Sequence, residues 1–192
     1  MDYKNHIQNY INQEIDILKK LDLNRINDVL NEIITAYERE STIYIFGNGG
    51  SASTASHFVN DFNKGISEYT EKKFRFVCLS DNMSTLTAIA NDIGYEDVFA
   101  FQLRGRLKDT DLVIGISGSG NSKNIIHALQ YANEIGAKTI GLTGYDGGKV
   151  ASMVDVSLNV PVCNMQITED IHMILDHLIM SVLYKVWGIK GH

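Results

Sequence analysis

The chain has 192 residues, of which 44% are hydrophobic and 21% are charged, and its formal net charge is −6 at pH 7. This length suits one α/β domain with a full core. The acidic balance argues against broad nucleic-acid binding, which favours a basic patch. Two cysteines, Cys78 and Cys163, are too few for a disulfide scaffold. The N-terminus is polar rather than signal-like, and no apolar run reaches the roughly 18 residues of a membrane span. We therefore expect a cytoplasmic protein with no membrane partner.

The first forty residues predict two amphipathic helices. Apolar residues recur at helical spacing over 3–20 and again over 24–40, where Asn24 is a candidate N-cap. The apolar faces of these helices must be buried, either against the sheet or against a neighbouring subunit. We treat 1–40 as N-terminal helices that pack on the domain or in a homo-oligomer, and 41–192 as the main domain of one structural unit.

Beyond residue 40, predicted strands and helices alternate. Leu112 to Ile116 is apolar without alternation, which is typical of strands buried on both faces. The sequence therefore predicts an α/β fold, a parallel sheet flanked by helices in a three-layer sandwich of the flavodoxin-like or Rossmann-like kind. The predicted strands are 42–46, 74–79, 111–116, 138–143 and 154–159, and the predicted helices are 51–64, 83–91, 122–136 and 167–187.

Two short glycine and serine loops are the most informative motifs. Each follows an apolar strand and precedes a helix, so backbone N–H groups and hydroxyls lie free at a helix N-terminus, an arrangement that binds phosphate. Two such loops indicate a phosphorylated small molecule held from both sides. The loops are Gly47-Asn48-Gly49-Gly50-Ser51 and Ser117-Gly118-Ser119-Gly120-Asn121-Ser122.

Rival motifs fit these loops less well. Gly47 to Ala52 matches a permissive dinucleotide fingerprint, but Asp81 lies well beyond the roughly 20-residue interval of a ribose-binding acid. That motif also has no use for the second loop, so we expect no nucleotide cofactor. Neither loop ends in Gly-Lys-Ser/Thr, which excludes a Walker-type loop, and no G-x-S-x-G elbow marks a nucleophile. A plain turn rich in small residues remains the alternative for the second loop.

Imidazoles and carboxylates gather on two predicted helices. His57 and Asp61 are four residues apart and therefore share one helix face. This residue set suits zinc or a similar divalent metal, and it suits general acid–base chemistry equally well. In the alternative interpretation, the pairs satisfy one another and the carboxylates are solvated. The last helix carries Glu169, Asp170, His172, Asp176 and His177.

The spacing on the last helix leaves its ligand set open. Helical geometry puts Glu169, His172 and Asp176 on one face and turns His177 by about 80° from Glu169. Spacing alone does not decide which of these side chains point inward.

Taken together, the motifs resemble those of the sugar isomerase (SIS) domain, in its phosphoheptose isomerase branch. The resemblance extends over roughly 2–187, and the order and spacing of its motifs are specific. The matching stretches are Gly47 to Ser51 with His57-Phe58, Ala90-Asn91-Asp92-Ile93-Gly94-Tyr95, Gly115 to Ser122, Leu142-Thr143-Gly144 with Asp146-Gly147-Gly148, and Ile171-His172 to His177.

The resemblance implies a homotetramer that interconverts sedoheptulose 7-phosphate and a manno-heptose 7-phosphate for bacterial surface polysaccharides. It implies phosphate binding by Ser117, Ser119 and Ser122, with Gly118 in the same loop. It also implies zinc, with Asp61 and His177 as catalytic groups. The implied sugar site is Asn48, Gly49, Gly50, Ser51, Asn91, Asp92 and Glu169, and the implied zinc ligands are His57, Asp61, Glu169 and His177.

Three positions depart from the family pattern. Asp61 stands where the family has the glutamate that serves as acid and base, and it is one methylene shorter. Glu169 stands where the family has glutamine, which adds a negative charge. Gly118 replaces a threonine in the phosphate loop and removes a hydroxyl. We expect these changes to affect the substrate, the metal site or the rate.

The expected reaction is aldose–ketose isomerisation through an enediol or enediolate. Asp61 is expected to move the proton between the two carbons, and His177 to assist ring opening or to shuttle the oxygen proton. The alternative is a non-catalytic SIS module that binds a sugar phosphate or a protein partner. One relative of the isomerases is a replication-initiation partner, and its type lacks a carboxylate at the position of Asp61. The carboxylate here favours the enzyme.

Overall fold

The computed structural model describes residues 1–189, and in it five parallel strands lie between two layers of helices. The strands are β1 (Ile43–Gly47), β2 (Phe76–Cys78), β3 (Leu112–Ser117), β4 (Lys138–Thr143) and β5 (Val156–Asn159). The helices are α1 (Lys4–Leu18), α2 (Leu23–Glu38), α3 (Gly50–Asn60), α4 (Met83–Asp92), α5 (Ala100–Leu103), α6 (Lys123–Ile135), α7 (Gly148–Ala151) and α8 (Met165–Val186). Within the described residues, no helix is both long enough and apolar enough to cross a membrane.

The strand order is β2-β1-β3-β4-β5 with every pair parallel, which confirms the predicted α/β sheet. This is the flavodoxin-like order, whose topological switch point lies between β1 and β3. In such sheets ligands bind outside the carboxyl ends of the strands at the switch point. The order therefore brings together the two loops that the sequence singled out.

Alternate side chains of the strands enter two separate cores. Ile43 and Ile45 of β1 pack with α2, α3 and α8 on one face of the sheet. Tyr44 and Phe46 pack with α4, α5 and α6 on the other face. Because both faces are covered, the strands are apolar throughout, as the lack of alternation predicts.

The two N-terminal helices differ in how much they bury. Helix α2 packs on the sheet, whereas α1 buries Ile17 and leaves Ile7, Ile11 and Ile15 exposed. The N-cap of α2 is Asp22, not Asn24 as the sequence predicted. The Asp22 Oδ1 atom accepts hydrogen bonds from the backbone N–H groups of Asn24 at 2.9 Å and Arg25 at 3.2 Å. Asn24 therefore supplies a donor to the cap rather than forming it.

Several element boundaries differ from the prediction. The helix predicted over 51–64 is α-helical only to Asn60 and continues as one π-helical segment, Asp61–Gly65. The strand predicted over 74–79 has only the three residues of β2. The region between α4 and β3 contains a 3₁₀ turn, Tyr95–Asp97, and the short helix α5, neither of which shows a strong sequence pattern.

Candidate active site

The two loops leave neighbouring strands at the same edge of the sheet. Strand β1 pairs with β3 in a register that sets Gly47 opposite Ile116. The loop of residues 47–51 and the loop of residues 117–122, hereafter the serine loop, therefore begin side by side. Each leads into a helix of more than two turns, α3 or α6, whose first N–H groups have no partner within the helix.

The serine loop is held in shape by its own hydrogen bonds. The Gly120 N–H donates to the Ser117 carbonyl at 2.9 Å, and the Asn121 N–H donates to Ser119 Oγ at 3.2 Å. The Ser117 hydroxyl donates to Ser122 Oγ at 3.2 Å. Ser122 is the N-cap of α6, yet its side chain makes no capping bond to the helix. Its hydroxyl faces Ser117 instead, so three predicted phosphate-binding serines share one short turn.

A side chain at Gly118 would displace Met165, whose flexible thioether lies in the space beside this glycine. A Cβ atom at Gly118 would lie 2.6 Å from the Met165 Sδ atom. The Gly118 carbonyl accepts a hydrogen bond from the Gly144 N–H at 2.9 Å, which joins the serine loop to the end of β4. The departure at Gly118 thus does more than remove a hydroxyl, since a thioether from α8 occupies that volume.

Asn48 in the first loop is fixed by two residues from other elements. Its side-chain amide pairs in both directions with that of Asn124, with distances of 2.9 and 2.8 Å. The Tyr95 hydroxyl donates to the same Asn48 Oδ1 at 2.8 Å. Asn124 was not among the predicted site residues, since the burial that distinguishes it is visible only in the structure. The following residues of the loop begin α3, with Gly49 at the N-cap and Ser51 buried.

Glu169 lies against the first loop and not with the other predicted zinc ligands. A Cβ atom at Gly50 would lie 2.3 Å from Glu169 Oε2, so a larger residue there would require the Glu169 side chain to move. His57 is roughly two turns, or about 10 Å, farther along α3. Glu169 thus lies at the N-terminus of α3, where the helix dipole favours a negative charge, and its role as a metal ligand stays a prediction.

A second group of polar side chains forms where α3 and α8 run together. The His57 and His177 Nε2 atoms lie 3.0 Å apart. The Asp61 Oδ2 atom lies 3.5 Å from the first and 3.6 Å from the second. Asp176 joins them, since one potential ligand atom from each of the four residues lies within 4.8 Å of the others. We call His57, Asp61, Asp176 and His177 the His/Asp group.

The backbone brings Asp61 to this group at the point where α3 changes its winding. The α-helix gives way there to the π-helical segment, and such segments often occur at functional sites. The Asn60 Nδ2 group donates to Asp61 Oδ1 at 3.0 Å, which leaves Oδ2 toward the two imidazoles. The side chain of Asp61 is 11% exposed, against 40% for His57 and 57% for His177, so the group opens to solvent on its histidine side.

Asp176 is the buried member of the group and was not a predicted site residue. It has no exposed surface, and neither carboxylate oxygen has a hydrogen-bond partner among the described residues. Burial, and to a lesser degree the charge of Asp61, raises the pKa of Asp176 to about 8. The sequence places Asp176 on the same helix face as Glu169 and His172, but it does not decide whether that face points into the site.

His172, also on that face, is buried for a structural reason. Its Nε2 atom donates to the Thr143 carbonyl at 3.1 Å, and its Nδ1 atom has no partner among the described residues. Burial lowers the pKa of His172 to about 4, so its ring is neutral near pH 7. His172 thus joins α8 to the end of β4, whereas Asp176, one turn later on α8, belongs to the His/Asp group.

The His/Asp group has the donors and the dimensions of a zinc site. Zinc ligands at about 2.0 to 2.2 Å in a tetrahedron stand about 3.4 Å apart. The three measured separations, 3.0, 3.5 and 3.6 Å, form one triangular face of that size. The unpartnered carboxylate of Asp176 lies beside it. Two imidazoles with carboxylates are a borderline donor set, so these residues fit a divalent ion such as zinc.

Asn91 and Asp92 lie at the end of α4, outside the two loops. The Asn91 Nδ2 group donates to Asp92 Oδ1 at 2.7 Å, and both residues are exposed. In the described part of the chain, neither hydrogen-bonds to the first loop or the serine loop. The same helix helps to line a mainly apolar cavity of about 370 Å³ beside the first loop, with Asn48, Met83, Leu86, Ala90, Tyr95 and Phe99 on its walls.

Comparison with known proteins identifies relatives over nearly the whole chain. Residues 6–144 match the family model of the SIS domain. A probable phosphoheptose isomerase of Thermoplasma volcanium is 35% identical over 177 residues, 92% of this chain and 90% of its own. A phosphoheptose isomerase of Helicobacter pylori is 42% identical over 83% of this chain and 82% of its own. The solved phosphoheptose isomerase of Neisseria gonorrhoeae superposes with a TM-score of 0.87 at 31% identity, covering 96% of this chain and all of its own.

Proposed function

The chain belongs to the SIS domain family, among the phosphoheptose isomerases, and on that premise we propose that it interconverts sedoheptulose 7-phosphate and D-glycero-D-manno-heptose 7-phosphate. It is an isomerase that acts on a sugar phosphate. One observation carries the assignment of the site: the pairing of β1 with β3 sets the first loop beside the serine loop at the switch point of the sheet. The product would supply heptose for surface polysaccharides such as lipopolysaccharide or capsule.

The serine loop and the first loop hold the substrate in this proposal. Ser117, Ser119 and Ser122 donate hydroxyl hydrogen bonds to the phosphate, aided by the N–H groups at the start of α6. Asn48, Gly49, Gly50, Ser51 and Glu169 contact the sugar, together with Asn91 and Asp92. Binding the remote phosphate orients the sugar without taking part in its chemistry.

Asp61 and His177 perform the proton transfers. The carboxylate of Asp61 takes a proton from C1 of the ketose and returns it to C2, while His177 carries the hydroxyl proton from O1 to O2. The double bond moves from C2=O2 through a 1,2-enediol to C1=O1, so atoms and charges balance. The measured contacts that support this pairing are those of Asp61 Oδ2 with the two imidazoles, at 3.5 and 3.6 Å.

A divalent metal, zinc by its donor set, belongs to the same site in this proposal. His57, Asp61 and His177 would hold it. When bound, it supplies a positive charge that polarises the substrate oxygens and stabilises the enediolate. The Nε2 atoms of the two histidines and the Oδ2 atom of Asp61 lie 3.0 to 3.6 Å from one another, which is close enough to share one ion.

The assembly and the compartment follow from other features. The exposed apolar side chains of α1, which include Ile7, Ile11 and Ile15, support a homotetramer in which neighbouring copies cover them. Both cysteines are free and Cys163 is exposed, which suits the reducing cytoplasm.

The decisive test is turnover of sedoheptulose 7-phosphate followed by NMR, with and without a chelator and with zinc added back. We expect an aldose heptose 7-phosphate that disappears with chelator and returns with zinc. Equal turnover with chelator and with added zinc would support the isomerase assignment and contradict the role of the metal. Tight binding of the substrate without turnover would instead support a non-catalytic sugar-phosphate sensor.

A further inference from the structure

Tyr95 is an exposed tyrosine whose hydroxyl makes a specific bond to the first loop. The residue is 60% exposed, and its hydroxyl donates to Asn48 Oδ1 at 2.8 Å. An exposed hydroxyl can bond to water equally well, so the fold does not need this bond to satisfy Tyr95. The bond instead matters for Asn48, whose side chain it helps to orient.

Asn124 is a buried polar residue whose side chain is directed at the same asparagine. It lies in the first turn of α6 and is 2% exposed. Its Oδ1 atom accepts from the Ile125 N–H at 3.0 Å, which identifies the oxygen of this amide, because a backbone N–H can only donate. The Asn124 Nδ2 group must then face Asn48 Oδ1, at 2.8 Å. A backbone group thus fixes the orientation of both side-chain amides.

The contacts of Asn48 leave it only one way to meet a ligand. The two lone pairs of its Oδ1 atom are taken by the Tyr95 hydroxyl and the Asn124 amide. Its Nδ2 group donates one hydrogen to Asn124 Oδ1 at 2.9 Å. The second hydrogen has no acceptor within residues 1–189, and Asn48 is half-buried beside the cavity next to the first loop. Asn48 therefore offers a bound sugar a hydrogen-bond donor and no acceptor.

The first turn of α6 carries or holds both partners of Asn48. Asn124 belongs to this turn, and the neighbouring Lys123 Nζ lies 2.6 Å from Glu96 Oε1, which places the turn that contains Tyr95 against α6. The same stretch of α6 directly follows the serine loop. The separation between the serine loop and the Asn48 amide is therefore set by one short segment of backbone.

We propose that Asn124 and Tyr95 are positioning residues that hold Asn48 as a donor to a hydroxyl or carbonyl oxygen of the sugar. The inference rests on the proposed function, in which Asn48 contacts the sugar and the serine loop binds the phosphate. A sugar phosphate held at the serine loop then meets the donor at a fixed distance, so its reacting carbons approach Asp61 in one orientation. A misplacement of about 1 Å can cost on the order of 100-fold in rate.

Removing the hydroxyl of Tyr95 tests the proposal with little disturbance of the fold. Tyr95→Phe keeps the ring and loses one bond to Asn48, so kcat/KM for sedoheptulose 7-phosphate should fall about 10-fold. The inhibition constant of inorganic phosphate should stay that of the wild type, because the serine loop is unchanged. Tyr131→Phe removes another tyrosine hydroxyl, on α6, and as the matched control it should change neither quantity.

A larger loss is expected at Asn124. Asn124→Leu removes both bonds to Asn48 at nearly constant volume, so kcat/KM should fall about 100-fold. The variant also removes the acceptor of the Ile125 N–H, and circular dichroism and thermal melting check that α6 still folds. A damaged α6 would weaken phosphate inhibition as well, whereas a misplaced Asn48 would lower turnover and leave phosphate inhibition unchanged.

The same two changes in an Asn48→Ala background distinguish positioning from a structural role. Residues that act only through Asn48 have nothing left to hold in that background, so each change should lower kcat/KM by less than about twofold. Undiminished losses there would overturn the proposal, because Asn124 and Tyr95 would then act without Asn48. Wild-type turnover in both Tyr95→Phe and Asn124→Leu would overturn it as well.

A measurement on Asn48 itself separates this inference from the proposed function. The side-chain amide signals of Asn48 in NMR spectra are assigned by their absence in Asn48→Ala. Without any ligand, they should shift in Tyr95→Phe and in Asn124→Leu and stay in place in Tyr131→Phe. Unchanged signals in the first two variants would refute the positioning role. Shifted signals in a protein that does not isomerise sedoheptulose 7-phosphate would refute the proposed function and leave the fixed orientation of Asn48 standing.

Discussion

The serine loop and the His/Asp group differ in how far their polar atoms are satisfied. In the serine loop, hydroxyls and amides bond to one another: Gly120 to Ser117, Asn121 to Ser119, and Ser117 to Ser122. The His/Asp group instead brings two carboxylates and two imidazoles into a small volume, and the oxygens of Asp176 have no hydrogen-bond partner among the described residues.

The difference reflects what each region binds in our proposal. Neutral donors can bond to one another before the ligand arrives and then turn to a phosphate, at little cost to the fold. Carboxylates can only accept, so two of them cannot satisfy each other while ionised. A loop of hydroxyls is therefore stable without its ligand, whereas a cation site strains the fold until the cation binds.

The largest expected effect comes from the carboxylate that we assign to proton transfer. Asp61→Asn keeps the size of the side chain and removes its basicity, so turnover of sedoheptulose 7-phosphate should fall by about 1000-fold or more. Binding of the sugar phosphate, measured by calorimetry, should persist because the serine loop is intact. Zinc content is measured in parallel to separate loss of the base from loss of the metal. Full turnover in this variant would end the assignment of Asp61.

The next effect concerns the pH dependence of stability in the metal-free protein. Asp176 has a folded-state pKa raised to about 8, above its usual value, so the unfolded state releases this proton at lower pH than the folded state. The stability it contributes is complete at acid pH and is lost as the pH rises toward 8, by at most about 1.4 kcal/mol per unit.

Urea unfolding of chelator-treated protein between pH 5 and 9 measures this loss. His57, Asp61 and His177 face the same carboxylate, so the informative quantity is the difference between the wild type and Asp176→Asn at each pH. We expect the variant to be more stable than the wild type by about 1–3 kcal/mol near pH 8. Added zinc should reverse that order. Equal stabilities throughout would show that the buried carboxylate carries no penalty.

A smaller effect should follow from restoring a threonine to the serine loop. In Gly118→Thr, the new Cβ atom would meet Met165 Sδ at 2.6 Å, so we expect a loss of about 1–3 kcal/mol in unfolding free energy. Adding Met165→Ala makes room, and the double variant should recover part of the loss beyond additivity, as measured in a double-mutant cycle. Strict additivity would mean that Met165 does not limit the loop.

The smallest expected effect is that of one hydroxyl among several. Ser122→Ala removes one of the proposed phosphate donors and the hydrogen-bond partner of Ser117, so KM should rise about 10-fold while kcat stays near that of the wild type. Ser181→Ala, an exposed serine on α8, is the matched control and should change neither constant. If KM were unchanged in Ser122→Ala, the phosphate would not contact this hydroxyl.

The fold was predictable because its signals are local. Unbroken apolar strands such as β3 and helical periodicity in α2 or α6 depend on near neighbours in sequence, and the structure confirms them. Two local features were missed. Asp22 caps α2 in place of Asn24, although its carboxylate reaches backbone N–H groups only two and three residues away. The π-helical segment at Asp61 has no pattern of its own in the sequence.

The site was predictable in its loops and only partly in its charged residues. The strand–loop–helix pattern marked Ser117 and Gly50 because small residues between a buried strand and a helix leave the first backbone N–H groups of that helix accessible. The four-residue spacing paired His57 with Asp61. On α8, however, Glu169 and Asp176 look equivalent in sequence, since both are carboxylates within a few turns of His177.

The sequence by itself determined the class of fold, the position of the two glycine and serine loops and the residue types of the His/Asp group. These properties depend on strand and helix patterns and on side-chain chemistry, which are set by individual residues and their near neighbours in the sequence. The tertiary structure alone decided which carboxylate approaches the histidines. That choice depends on how α8 lies along α3, with Glu169 over the start of α3 and Asp176 buried beside the imidazoles, and helix packing is set by the whole core.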